Sequence, residues 1–312
     1  TWAEQRAADA VWQRHLVQAA EASALAVVDS EQGARGLGSS VHDFARGPRA
    51  GTFLHGLLEW AGRQGFAALA KDPARLAEQV RWRLQRMPDW QPWQSLLTDW
   101  LVRLLTQPLP LDAGGGDRIQ GNVEEALVGS GPVPSDGTSS FTLAGLRQYQ
   151  VEMSFMLAVQ DIDLPALDAW VRQHTFSGAA RPPLLPGQLN GMLKGFIDLV
   201  FEHEGRFYVL DYKSNWLGAS DEAYRVETMQ AAVLAHRYEL QYLFYLLALH
   251  RLLKVRLPDY DYDRHVGGAL YLFLRGSGAP SRGVFTARPP RAVIEALDAA
   301  FSGQRPLGAD KP

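Results

Sequence analysis

The chain has 312 residues, 46% hydrophobic and 21% charged, with a formal net charge of −3, a globular composition large enough for a substantial core. It contains no cysteine, which excludes disulfides and thiolate metal sites and fits a reducing, cytoplasmic setting. No signal-peptide pattern and no apolar run long enough to cross a membrane is read in it.

Residues 2–29 carry Trp2, Val11, Trp12, Leu16 and Val17 at helical spacing. With Thr1 rather than Met at its head, the chain reads as a piece of something larger, this helix leading from a preceding domain. Residues 30–50 are polar and hold Gly, Ser, Arg and Pro, which predicts a flexible linker. A compact unit is expected from Gly51 to the end, with its core at about 148–301. Residues 52–69 read as one helix with Phe53, Leu54, Leu57, Leu58 and Trp60 on its apolar surface. His55 sits one turn before Glu59; a lone helical histidine is usually structural or exposed. Asp72 before Pro73 is a helix start, and 73–87 and 92–105 follow as amphipathic helices. Trp82, Trp90, Trp93 and Trp100 gather here. They read first as packing, although Arg81, Arg83 and Arg86 beside them also suit base stacking in single-stranded DNA. Residues 111–140 are loop-rich.

Residues 148–159 predict a strand in which Val151, Met153, Phe155, Leu157 and Val159 share one face. Glu152 then lies on the opposite face. A helix capped by Asp163 should cover 163–174. Residues 192–201 and 206–213 predict a hairpin. Asp211 and Lys213 point the same way. A two- or four-residue loop pairs positions whose numbers sum to an odd value, so Asp198 shares that face with Asp211. With the loop at Glu204–Gly205 the two acids are directly opposite; with His203–Glu204 they are diagonal. Two carboxylates so close repel unless a cation lies between them. Two acids and a lysine converging on a hairpin suit metal-assisted phosphodiester cleavage, the acids holding a hard divalent ion and the lysine orienting water or offsetting negative charge. The plainer reading is a solvated hairpin face with an Asp–Lys ion pair. Further on, 236–253 is apolar nearly all round and so reads as a buried helix. Gln241 and Tyr245, four apart, share a face of it. Residues 265–275 read as a central strand beside the hairpin, and 290–301 as a closing amphipathic helix.

Taken together, KGFIDLVF, LDYKSNWLG, HRYELQYLFYLLALHR, YLFLRG and the earlier GTFLHGLLE resemble segments of the RecB family of nuclease subunits in the same order, over about 51–301. That family lies within the PD-(D/E)xK nuclease superfamily. The resemblance implies an α/β fold: a mixed central β-sheet flanked by helices, here with an N-terminal helical layer. It implies a deoxyribonuclease acting on single-stranded DNA and duplex ends, with Mg²⁺ as cofactor, Mn²⁺ able to substitute and Ca²⁺ able to bind without supporting cleavage. The metal would be held by His55, Asp198, Asp211 and the Tyr212 carbonyl. Lys213 would serve the attacking water, and Gln241 and Tyr245 form the Q-x-x-x-Y motif of such nucleases. Glu152 would support the metal site. The implied partners are RecC, RecD and RecA. An alternative role is a docking module that loads RecA and contacts the partner subunits. No G-x-x-x-x-G-K-[ST] loop is present, so the helicase motor of such an assembly is not in this chain. DNA would reach this slightly acidic domain through a local basic patch or by delivery from a partner.

Overall fold

A computed structural model describes residues 40–111 and 139–307. The expected helix at 2–29 and most of the loop-rich stretch at 111–140 lie outside the described residues.

Helix α1 (Pro48–Gln64) and the short α2 (Phe66–Leu69) replace the single helix expected at 52–69. Gly65, at φ 97°, breaks them apart, a backbone angle that glycine adopts without strain. Helix α3 (Pro73–Leu84) starts at Asp72, whose side chain accepts from the Arg75 N–H at 3.1 Å. After a 3₁₀ turn comes α4 (Gln94–Thr106). Short strands β1 (Leu109–Pro110) and β2 (Ser140–Phe141) pair with each other. The main sheet is mixed: β3 (Gln148–Asp163), β4 (Gln188–His203), β5 (Arg206–Lys213), β6 (Val266–Phe273) and β7 (Val284–Ala287) lie side by side in that order. Only the β5–β6 pair is parallel. Its crossover carries α6 (Val226–Ala235) and α7 (Tyr238–Arg256), as parallel strands require. Helices α5 (Leu164–His174), α8 (Tyr262–His265) and α9 (Arg291–Phe301) complete the fold. β6 lies beside the hairpin as expected, but β5 holds the middle place, because the short β7 adds a strand beyond β6.

Helices cover both faces of the sheet. On one, Leu164, Trp170, Val233, Leu243, Leu247 and Leu297 pack on Ile197, Val209 and Phe273. On the other, the N-terminal layer of α1–α4 packs Leu54, Leu58, Val80 and Leu101 on Leu199, Phe201, Leu210 and Leu272. Helix α7 is buried nearly all round, as its sequence predicts. Trp93 and Trp100 are core residues, and Trp90 packs edge-on against Phe44 and Phe53. Trp82 is exposed, with Arg86 over its ring.

Two further expectations fail. The stretch before Gly51 is not a structureless linker within the described residues. Val41 and Phe44 are buried, and Arg275 donates to the carbonyls of Val41, Phe44 and Ala45. Backbone carbonyls satisfied by a buried guanidinium hold a segment that its polar composition suggested would be free. Nor do Val151 and Met153 share a face. Tyr149 and Val151 pack with the α1–α4 layer, whereas Met153, Phe155, Leu157 and Val159 pack with the α5–α7 side. The strand turns over at Glu152, whose φ is 52°. The same slip occurs opposite, in β4: Ile197 and Val200 belong to one cluster, Leu199 and Phe201 to the other.

Candidate active site

The β4–β5 hairpin closes on Glu204–Gly205, at φ 51° and 78°, the left-handed pair that a two-residue turn needs. His203↔Arg206 and Leu199↔Leu210 fix the register. One step past the last pair come Asp198 and Asp211, opposite each other. Across β3–β4, Val151↔Leu199 and Met153↔Ile197 bracket Glu152 and Asp198 in the same row. Glu152, Asp198 and Asp211 thus lie abreast on three neighbouring strands, at the level where β3 and β4 turn over.

Here the ladder opens. The Tyr212 N–H donates not to β4 backbone but to Asp198 Oδ2, at 2.7 Å. A strand residue aims its N–H and C=O at the same edge, so the Tyr212 carbonyl also points toward Asp198. Helix α1 supplies the next group. It is held close at both ends: a Cβ on Gly51 would come within 2.8 Å of Ser214 Oγ, and one on Gly62 within 2.5 Å of Val151. Between these contacts His55 reaches Asp198, Nδ1 to Oδ2 at 3.4 Å. Its ring stands edge-on to Tyr212.

Asp211 faces the other way, onto α7. Its Oδ2 lies 2.7 Å from Lys213 Nζ. Its Oδ1 accepts from Tyr245 at 3.1 Å and from Gln241 Nε2 at 3.2 Å. Gln241 also donates to the Tyr245 hydroxyl at 2.7 Å and accepts from Lys213 at 2.7 Å. The ammonium lies 3.7 Å from the centre of the Tyr238 ring and 4.7 Å from that of Tyr271, a favourable place for a desolvated cation. The two halves differ in access. The His55 and Asp198 side chains keep 34% and 16% of their exposure, those of Lys213 and Asp211 only 9% and 8%.

The electrostatics follow from that arrangement. Burial holds the Asp211 carboxyl above its ordinary value, against the pull of Lys213. Burial opposes the Lys213 charge, but Asp211 beside it prevails and the lysine keeps its proton. Desolvation, then the charges of Asp198 and Glu59, push Glu152 up. Burial pushes His55 down, yet its contact with Asp198 outweighs this and leaves it raised. Burial and the nearby Asp211 push the Tyr245 phenol well up, so it is a hydrogen-bond donor and not a base. The row therefore has three acids against one buried lysine.

All eight residues singled out from the sequence fall in this one neighbourhood. Missing from that set are Tyr238 and Tyr271, which box the lysine. Tyr271 is the parallel partner of Asp211, a register that spacing along the chain does not encode. Among the described residues no three His, Cys, Asp or Glu side chains surround a single point, because Asp211 leans to α7 while Asp198 and His55 face each other. The donor set itself suits a hard divalent cation: carboxylates, a backbone carbonyl and one imidazole beside uncompensated negative charge.

Comparison with known proteins agrees with this chemistry. The family model of the PD-(D/E)XK nuclease superfamily matches residues 29–305, and nucleases of that superfamily depend on a divalent metal. The chain is 40% identical over 265 residues to the RecBCD enzyme subunit RecB of Escherichia coli, covering 84% of this chain and 20% of that protein. The same subunit of Haemophilus influenzae is 43% identical over 152 residues, 48% of this chain and 12% of that one. That of Mycobacterium tuberculosis is 44% identical over 119 residues, 35% and 11%. The chain thus spans about a fifth or less of these relatives' length.

Proposed function

The chain belongs to the PD-(D/E)XK nuclease superfamily, and from that membership we propose a DNA nuclease that hydrolyses phosphodiesters with Mg²⁺ at the row of Glu152, Asp198 and Asp211. The observation that carries the reading is the excess of acid at the open end of the sheet, set against a single buried lysine. Asp198, Asp211, His55 and the Tyr212 carbonyl would hold the cation. When bound, it supplies positive charge beside the scissile phosphate and acidifies nearby water.

The chain's own groups have separate tasks. Lys213, kept protonated by Asp211, presents charge to the non-bridging oxygens as water attacks phosphorus and the opposite P–O bond breaks. The attacking water gives up its proton to solvent, and the leaving oxygen takes a proton from solvent and departs as a hydroxyl. Gln241 and Tyr245 hold Asp211 in one orientation, so that little reorganisation is left for the reaction step. Glu152, pushed up by burial and then by Asp198 and Glu59, is the group best able to share a proton at the site's edge. Mn²⁺ would substitute, because an imidazole ligand suits it, whereas Ca²⁺ would bind without supporting cleavage.

The curated relatives are named as subunits of the RecBCD enzyme. We extend that to this chain: a cytoplasmic repair nuclease that receives single strands or duplex ends from RecC- and RecD-like partners, with RecA loading as a second role of its surface. Metal-dependent cleavage by the purified chain, lost in Asp198→Ala, tests the nuclease reading. Undiminished cleavage by that variant would refute it.

A further inference from the structure

Arg275, from the YLFLRG segment, takes no part in the chemistry above, yet it is 1% exposed. Burial pushes its guanidinium down to about 10, so the fold keeps a desolvated charge here for a reason. It donates to two segments at once. One is 41–45, through the carbonyls of Val41 and Phe44 at 2.8 and 3.0 Å and that of Ala45. The other is the Ser214 carbonyl at 3.1 Å, directly after Lys213. The loop at 214–217 is fixed a second time by the Tyr224 hydroxyl, which donates to the Asn215 carbonyl and accepts from the Leu217 N–H, each at 3.2 Å.

These anchors bring together Arg46 and Trp216. The guanidinium carbon lies 3.7 Å from the centre of the indole ring. Trp216 is 38% exposed, on a loop anchored at Ser214, Asn215 and Leu217. Among the described residues Arg46 forms no ion pair. The pair sits three residues past Lys213 and two residues before α1, whose first two turns, about 10 Å, lead to His55.

We propose that Trp216 and Arg46 are strand-positioning residues: Trp216 stacks a base of single-stranded DNA while Arg46, held on the indole, pairs with an adjoining phosphate. This rests on the nuclease reading and deepens it. An aromatic platform with an adjacent cation binds single strands without regard to sequence, since every base has a stackable face and every nucleotide a phosphate. It is also the local basic feature that an acidic chain needs, placed a short way from the cleavage row. Arg275 acts through the pair, by fixing both segments that carry it.

The test reads binding apart from cleavage. A fluorescent oligo(dT) is titrated in EDTA with the 312-residue chain carrying Asp211→Asn, alone and with W216A, W216F, R46A or R46K. W216A should weaken binding roughly 5- to 160-fold, the span of base stacking on an aromatic ring, and W216F should restore most of it. R46A should reduce the slope of log Kd against log salt by roughly 0.7, one single-strand phosphate contact, and R46K should keep it. Melting temperatures should stay at the parent value. Parent-like binding by W216A and R46A, weakening that merely follows a loss of melting temperature, or a parent chain that does not bind the strand would overturn the proposal. Binding as described together with no cleavage by the unsubstituted chain in Mg²⁺ or Mn²⁺ would refute the nuclease reading and leave the strand contact standing.

Discussion

Two buried charge clusters meet on α7, two residues apart. Around Glu239 each buried acid has a buried arginine, and Arg172, a third exposed, is an additional cation. Glu239 pairs with Arg237 at 2.5 Å and Arg181 at 3.4 Å, while Asp168 pairs with Arg237 at 2.7 Å and Arg172 at 3.0 Å. Around Gln241 the acids are in excess: Asp211 pairs with the one buried lysine, Lys213, while Asp198 and then Glu152 continue the row, with His55 at the margin. The first cluster is complete once the chain has folded, since every buried charge has its opposite. The second keeps an excess of acid after folding, which the proposed cation would offset. Burial alone therefore does not mark a functional charge; burial with uncompensated sign does.

Substitution separates the two. Asp211→Asn keeps the shape of the site but removes a negative charge. It should slow cleavage by roughly a thousand-fold or more, the scale on which single charge-stabilising groups act, while the melting temperature changes less, because Lys213 keeps Gln241 and the Tyr238 and Tyr271 rings as partners. Arg181→Met should do the reverse. It leaves Glu239, fully buried, with one partner fewer, at about 3 kcal/mol, and the melting midpoint should fall by roughly 10 °C. Cleavage per folded molecule should stay at the wild-type rate. If the two effects are exchanged, the distinction between the clusters fails.

Much of the second cluster was legible in the sequence. The odd sum of 198 and 211 and the two-residue spacing of Asp211 and Lys213 follow from strand geometry, and Glu204–Gly205 provides the turn that sets the acids opposite each other. The i, i+4 pair Gln241 and Tyr245 follows from helix geometry. The helical layer, the Asp72 and Asp163 caps and the buried α7 followed from periodicity and capping chemistry. What stayed hidden was non-local or irregular. The reversal of β3 at Glu152 depends on a positive φ in a residue type that gives no such signal. Tyr271 reaches Lys213 only through a parallel register set across a crossover. The docking of 41–45 depends on Arg275, more than two hundred residues away in sequence. His55 and the Tyr212 carbonyl entered by family resemblance; α1 packing brings His55 to Asp198, and the opening of the β4–β5 ladder brings Tyr212 there.

Smaller effects sharpen the comparison. Tyr245→Phe deletes one donor to Asp211 and leaves Gln241 in place. It should cost about 1 kcal/mol, seen as a roughly five-fold slower cleavage in single-turnover assays. The imidazole of His55 gives a pH signature. Its folded pKa is raised above 6.5, so its contribution to metal-free stability is full below 6.5 and is lost as pH rises through the folded value. Metal binding needs the neutral ring and should strengthen over the same interval. Melting curves with and without Mg²⁺ between pH 6 and 9 should therefore diverge as pH rises, and the divergence should shrink in His55→Gln. Parallel curves in the wild-type chain would remove His55 from the ligand set.

The most direct test of an acid row completed by a cation is cleavage of linear and circular single-stranded DNA in Mg²⁺, Mn²⁺, Ca²⁺ or EDTA, beside Asp211→Asn. The account predicts cutting with Mg²⁺ and Mn²⁺, none with Ca²⁺ or EDTA, and cutting by the variant slower by roughly a thousand-fold or more; cutting of circles would add endonuclease character. Cleavage that persists in EDTA, undiminished cleavage by Asp211→Asn, or a folded, metal-binding chain that fails to cut with any metal would contradict it.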